Sequence, residues 1–191
     1  MMNEVTINTQ GVFNGKLLKL HVDTVRLPNG RETTKEIIEH PGAVAIIPIL
    51  DNGRVLVIKQ YRTAARRWMM EIPAGTLEAD EPPLACAKRE LIEETGYAAG
   101  HFTRLFSCYL APGYSSEKIH FFLARQLVRT KARPAEDEFI TVRAMDLDEA
   151  LKAIERGKIQ DAKTISALYY LAMHRDKQRH PSKSRRRRST E

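Results

Sequence analysis

The stretch from Pro82-Pro83 to Gly96 restricts this chain's fold more than any other. Prolines are tolerated in the first turn of a helix, and a glycine just past the last turn supplies the left-handed position that closes it. The pattern predicts a helix from Pro82 or Pro83 to Thr95, with Asp80 or Glu81 as its cap and Leu84, Ala87 and Leu91 as its buried stripe. Strand-like runs lie on both sides of it. A helix set among strands must bury its stripe on a sheet, so the expected class is α+β or an α/β sandwich.

Upstream, Lys16 to Val25 alternates, Pro28-Asn29-Gly30 is a turn signal, and Glu32 to His40 can return as the partner strand of an N-terminal hairpin. Ala43 to Leu50 is a near-continuous apolar run and Arg54 to Tyr61 alternates. The turn Asp51-Asn52-Gly53 between them predicts a second, more buried hairpin. Downstream, strands are expected at Thr103 to Leu110, Lys118 to Arg125 and Phe139 to Arg143. Asp146 is expected to cap a helix ending at Gly157, and Asp161 to open a last helix with Ile165, Leu168 and Leu171 on its apolar face.

A chain of 191 residues, 42% of them hydrophobic, suits one domain with at most a small appendage, and needs neither disulfide nor metal in order to fold. Cys86 and Cys108 make no metal-type spacing, which fits a reducing compartment. No apolar run approaches the roughly 20 residues of a membrane span, and the opening MMNEVTINTQ has no signal-peptide pattern. The expectation is a soluble, cytoplasmic protein with no membrane partner. The net charge of +7 is concentrated at one end. Residues 174–191 hold eight Lys or Arg against two acids, leaving the first 173 residues at +1. A tail reading HRDKQRHPSKSRRRRSTE has no apolar side chain to bury and is expected to be disordered. It could contact nucleic acid or serve only as a solvated appendage.

The predicted helix contains an electrostatic contradiction. Glu90, Glu93 and Glu94 fall in its last turns, where the helix dipole disfavours each carboxylate by roughly 0.3–1 kcal/mol. Like-charge pairs at i+3 and i+4 from Glu90 cost about 0.2–0.5 kcal/mol more each, and only Arg89 stands at a compensating i, i+4 offset, from Glu93. Such a local conflict marks either a solvated acidic helix end or a candidate functional site, where hard divalent cations would resolve it.

Read together, Gly75-x5-Glu81-x7-Arg89-Glu90-Leu91-x-Glu93-Glu94-x-Gly96-Tyr97 matches the Nudix box, and the chain is identified as resembling the Nudix hydrolases. The resemblance implies an α/β/α sandwich, with a mixed sheet between helices and an N-terminal antiparallel sheet. It also implies Mg²⁺, or Mn²⁺, acting on the pyrophosphate of a nucleoside diphosphate sugar. Metal ions offset the charge of a pyrophosphate diester and activate the attacking water. By resemblance, Glu90, Glu94 and the carbonyl of Ala74 are metal ligands. Glu93 is a ligand or orients one, Arg89 orients a glutamate, and Glu81 braces the loop.

Residues outside the box resemble the ADP-ribose pyrophosphatase subfamily. Pro112 lies 15 residues beyond Tyr97, within Leu110-Ala111-Pro112-Gly113-Tyr114-Ser115-Ser116-Glu117. This resemblance implies hydrolysis of ADP-ribose, or a related ADP-sugar, to AMP and ribose 5-phosphate, with another nucleoside diphosphate sugar such as GDP-mannose as the alternative and a non-catalytic nucleotide- or RNA-binding module as a further one. Lys35, Glu36, Arg62, Pro112, Gly113 and Glu117 are the implied substrate contacts. Lys35 stands where the subfamily often has arginine, and it lacks the planar fork of a guanidinium. The acidic segment Arg133 to Ile140 resembles the loop that carries the base, at Glu138 or, as the near alternative, Glu136. Glu138 is also an implied metal ligand. Residues 1–40 are then a β region for homodimerisation, 41–173 the hydrolase domain and 174–191 the basic tail.

Overall fold

The structure, a computed structural model, describes residues 3–130 and 139–175. Glu136, Glu138 and the tail from residue 176 onward lie outside the described residues. The chain opens with three antiparallel strands in the order β1-β2-β3: β1 (Val5–Asn14), β2 (Lys19–Arg26) and β3 (Glu32–Glu39). The β2–β3 hairpin is the expected one. Its turn is closed by the Gly30 amide donating to the Leu27 carbonyl at 2.9 Å, with Gly30 at φ 84°. The sequence reading missed β1 as a strand. Register shifts at Thr6/Asn8 and Gly11/Phe13 break its period of two, and that alternation is the signal by which a strand is read.

The second expected hairpin is corrected. β4 (Ala43–Pro48) and β5 (Val55–Arg62) are both strands, and Gly53 at φ 81° makes the turn between them. Beyond a bridge at Ile49↔Val55, however, they enter different sheets. β4 lies inside a four-stranded sheet of order β7-β4-β9-β8, parallel to β9 (Lys118–Arg129) and antiparallel to β7 (Ala74–Thr76). β5 is the centre of an antiparallel sheet of order β10-β5-β6, between β10 (Thr141–Met145) and β6 (Arg67–Glu71). All of β4 is buried, as are the first four residues of β5. An apolar run buried on both faces needs a neighbour on each side, which a simple hairpin does not supply.

Alternate residues of β4 and β9 face two cores. Val44, Ile46, Phe122 and Ala124 pack against Cys86, Ala87 and Leu91 of α1 (Pro83–Thr95). Ala45, Ile47, Phe121 and Leu123 pack with Val55 and Val57 against α2 (Leu147–Glu155) and α3 (Ala162–Met173). Helices therefore cover both faces of a mixed sheet, the expected α/β/α sandwich. α1 begins at Pro83 and is closed by Gly96 at φ 71°, after which β8 (Tyr97–Tyr109) starts at once. Three details differ from expectation. Pro82 is the N-cap and no side chain bonds there, because Glu81 is engaged elsewhere; and Leu84 is 42% exposed, its place in the stripe taken by Cys86. Asp146 precedes α2 without a side-chain cap bond, whereas Asp161 accepts from the Thr164 amide.

Candidate active site

Six consecutive residues, Glu71 to Thr76, run between the sheets and α1, and groups on α3, β4 and α1 fix them. The Ile72 amide donates to Thr164 Oγ1 on α3 at 2.8 Å. The Pro73 carbonyl accepts from the Ile46 amide at 2.8 Å, and the Ala74 amide donates to Glu94 Oε2 at 2.9 Å. The Glu90 carboxylate lies over Gly75, where a Cβ would overlap it outright. This is the physical reason for the box glycine: any side chain would occupy the carboxylate's position. Glu90 and Glu94, one helical turn apart, thus converge on the backbone of Ala74 and Gly75.

The compensation missing from the helix sequence is supplied by Arg89. Its guanidinium grips Glu81 through Nε at 3.0 Å and Nη2 at 2.9 Å, and its Nη1 donates to Glu90 at 2.6 Å and to Glu93 at 3.0 Å. One planar fork therefore serves three carboxylates, of which spacing revealed only Glu93. The Arg89 hydrogen bond holds the Glu81 carboxyl down to about 2, against some opposition from burial. The fork also closes the loop, since Glu81 Oε2 accepts the Glu78 amide at 3.1 Å. Beneath it, burial pushes the Cys86 thiol up to about 12, which keeps it protonated and unreactive.

A pH dependence follows. Because Glu81 titrates lower in the folded protein than in the unfolded chain, its contribution is complete above the unfolded value, about 4.5, and fades as pH falls toward 2. Glu81→Gln should be less stable than wild type at neutral pH. The gap between their melting temperatures should close between about pH 4.5 and 2. A gap that stays constant across that range would rule out the ion pair as its source.

Arg62, an expected substrate contact, closes β5 beside this tract. Its Nε and Nη2 each donate to Glu71 at 2.8 Å. The other expected contacts lie on other elements. Lys35 and Glu36 are on β3, where Lys35 pairs with Glu4 at 3.7 Å. The loop bearing Pro112 and Gly113 docks on the end of the same strand: the Ile38 amide donates to the Tyr114 carbonyl at 2.8 Å, and the His40 amide to Ser116 Oγ at 2.9 Å. Glu117 follows, its amide donating to Ser115 Oγ at 3.2 Å. Sequence reasoning missed a pocket of about 500 Å³ lined by Gln60, Tyr61, Thr63, Trp68 and Phe139. Tyr61 and Trp68 are opposite one another on β5 and β6, with ring centroids 5.8 Å apart; the β5–β6 register, which the sequence does not state, brings them together.

A model of the NUDIX domain matches residues 39–168, more than half of the chain. The chain belongs to the Nudix hydrolase family. An ADP-ribose pyrophosphatase of Bacillus subtilis (strain 168) is 42% identical over 174 residues, covering 90% of this chain and 94% of that protein. A methanol dehydrogenase activator of Bacillus methanolicus is also 42% identical, over 91% of this chain and 95% of its own length. The crystal structure of an ADP compounds hydrolase superposes with a TM-score of 0.82 at 24% identity, covering 92% of this chain and 95% of that one, which supports the fold.

Nudix hydrolases generally use a divalent metal, and the donor set here fits one. Glu90 and Glu94 are hard oxygen donors brought to one short backbone tract, with the Ala74 carbonyl next in the chain to the amide that Glu94 holds. Among the described residues no three His, Cys, Asp or Glu side chains form a ready cage. The groups that could hold the ion are Glu90, Glu94 and the Ala74 carbonyl. No helix among the described residues is long and apolar enough to cross a membrane.

Proposed function

We propose that this Nudix hydrolase cleaves the pyrophosphate of ADP-ribose, with Mg²⁺, into AMP and ribose 5-phosphate. The observation that carries the reading is the convergence of Glu90 and Glu94 on Ala74 and Gly75. The similarity to an ADP-ribose pyrophosphatase along 90% of the chain supports the substrate. A bound divalent ion offsets the pyrophosphate charge and activates water. Glu90, Glu94 and the Ala74 carbonyl would hold it, with Glu93 keeping Arg89 in place beside Glu90. Arg62 would steady a phosphate oxygen, and Lys35, Glu36, Pro112, Gly113 and Glu117 would contact the rest of the substrate. By sequence resemblance, Glu138, or Glu136, would take the proton from water.

A substrate panel with Mg²⁺ tests the reading, following AMP from ADP-ribose against products from GDP-mannose, NADH and diadenosine polyphosphates. ADP-ribose should give the highest kcat/KM. A higher value for GDP-mannose would move the specificity to that sugar while leaving the site chemistry in place. Mn²⁺ in place of Mg²⁺ should also support turnover, because both ions favour oxygen donors.

The chain is further proposed to be a cytoplasmic homodimer joined through its N-terminal sheet. Every residue of β1 is exposed, including Val5, Ile7, Val12 and Phe13, an apolar set that a second copy could cover. Both cysteines are free, in keeping with a reducing compartment. Light scattering should give twice the 21.8 kDa chain mass, and Val12→Asp with Phe13→Asp should halve it. A monomeric wild type would reject this assembly.

A further inference from the structure

Glu71 is 1% exposed and carries two cations, Arg62 from β5 and Lys163 from the first turn of α3. Lys163 also pairs with Asp161 at 2.8 Å. Asp161 in turn caps α3, accepting from the Thr164 amide at 2.9 Å and from the Thr164 hydroxyl. That same hydroxyl oxygen accepts from the Ile72 amide. The result is a closed ring of bonds from Glu71 through α3 and back to the residue after Glu71. Arg62 stands outside the ring, its side chain 38% exposed, gripped through Nε and Nη2 with Nη1 unpartnered among the described residues. It lies near enough to Glu94 for their charges to interact.

We propose that Glu71 and Lys163 are positioning residues that hold the Arg62 guanidinium with its remaining N–H edge turned to the substrate's pyrophosphate. A guanidinium anchored along one edge presents the other at a fixed angle, whereas a free arginine must be ordered at the moment of binding. The second cation matters because a carboxylate satisfied by Arg62 alone would spend that residue's charge. Lys163 shares Glu71, and the N-terminus of α3 supports Asp161, so Arg62 keeps its attraction for an anion. The inference rests on the proposed site at Glu90 and Glu94, but not on which sugar the substrate carries.

The test is binding of inorganic pyrophosphate with Mg²⁺, measured by calorimetry on wild type, Arg62→Ala, Glu71→Gln and the double variant. Arg62→Ala and Glu71→Gln should each weaken binding roughly tenfold, and the double variant should bind no worse than Arg62→Ala alone. Lys163→Met should act like Glu71→Gln and Lys163→Arg should restore binding, which keeps the test available if Glu71→Gln does not fold. Effects that multiply in the double variant, a lowered melting temperature with unchanged affinity, or a wild type that does not bind pyrophosphate would each overturn the proposal. A wrong substrate assignment would appear only in the substrate panel.

Discussion

Glu94→Gln should lower kcat/KM for ADP-ribose by about a thousandfold, near 4 kcal/mol of lost transition-state stabilisation, and leave the fold intact. The two halves of this expectation come from different atoms of one side chain. Glu94 is 5% exposed and accepts the Ala74 amide, a bond that a carboxamide oxygen can also accept, so the tract leading into the box stays in place. The lost negative charge is not replaced, and a neutral amide oxygen is a far weaker donor to a hard divalent ion. Far-ultraviolet circular dichroism and melting temperature check the fold, and Mn²⁺ binding followed by paramagnetic resonance checks the ion. Near-normal turnover at saturating Mg²⁺ would remove Glu94 from the ligand set.

Gly75→Ala should be nearly as damaging for a steric reason. The added methyl would meet the Glu90 carboxylate, with β4 on the other side of the strand pairing Gly75 with Val44. Glu90 must swing away, breaking its bond to Arg89. We expect at least a hundredfold loss of kcat, together with a fall in stability of about 1–3 kcal/mol typical of overpacking. Denaturant unfolding and steady-state kinetics separate the two. If the variant keeps wild-type kcat, Glu90 is not confined to the position described.

The box, its helix and the closing glycine were legible in the sequence because their constraints are local: prolines at one end, Gly96 at the other, carboxylates at fixed offsets between. Arg89 was only partly legible. Its bond to Glu93 is an i, i+4 pair, but the grip on Glu81 depends on a loop folding back, which spacing along a helix does not encode. The pairing of β4 with β9 was hidden for a related reason. Apolar content announces that a strand is interior and says nothing about which strand, 76 residues later, will lie parallel to it. Glu71 and Lys163 were invisible as a pair, being 92 residues apart and each ordinary in its own segment.

The ring of bonds between the end of β6 and the start of α3 has a consequence for the shortest chain that could work. A protein cut before Asp161 would still contain the whole box, yet Glu71 would lose Lys163 and Ile72 would lose the Thr164 oxygen, both in the tract leading to Ala74. Recombination or truncation that respects the motif but discards the last helix should therefore yield chains with every expected ligand and no competent enzyme. The working unit of this hydrolase is longer than its signature.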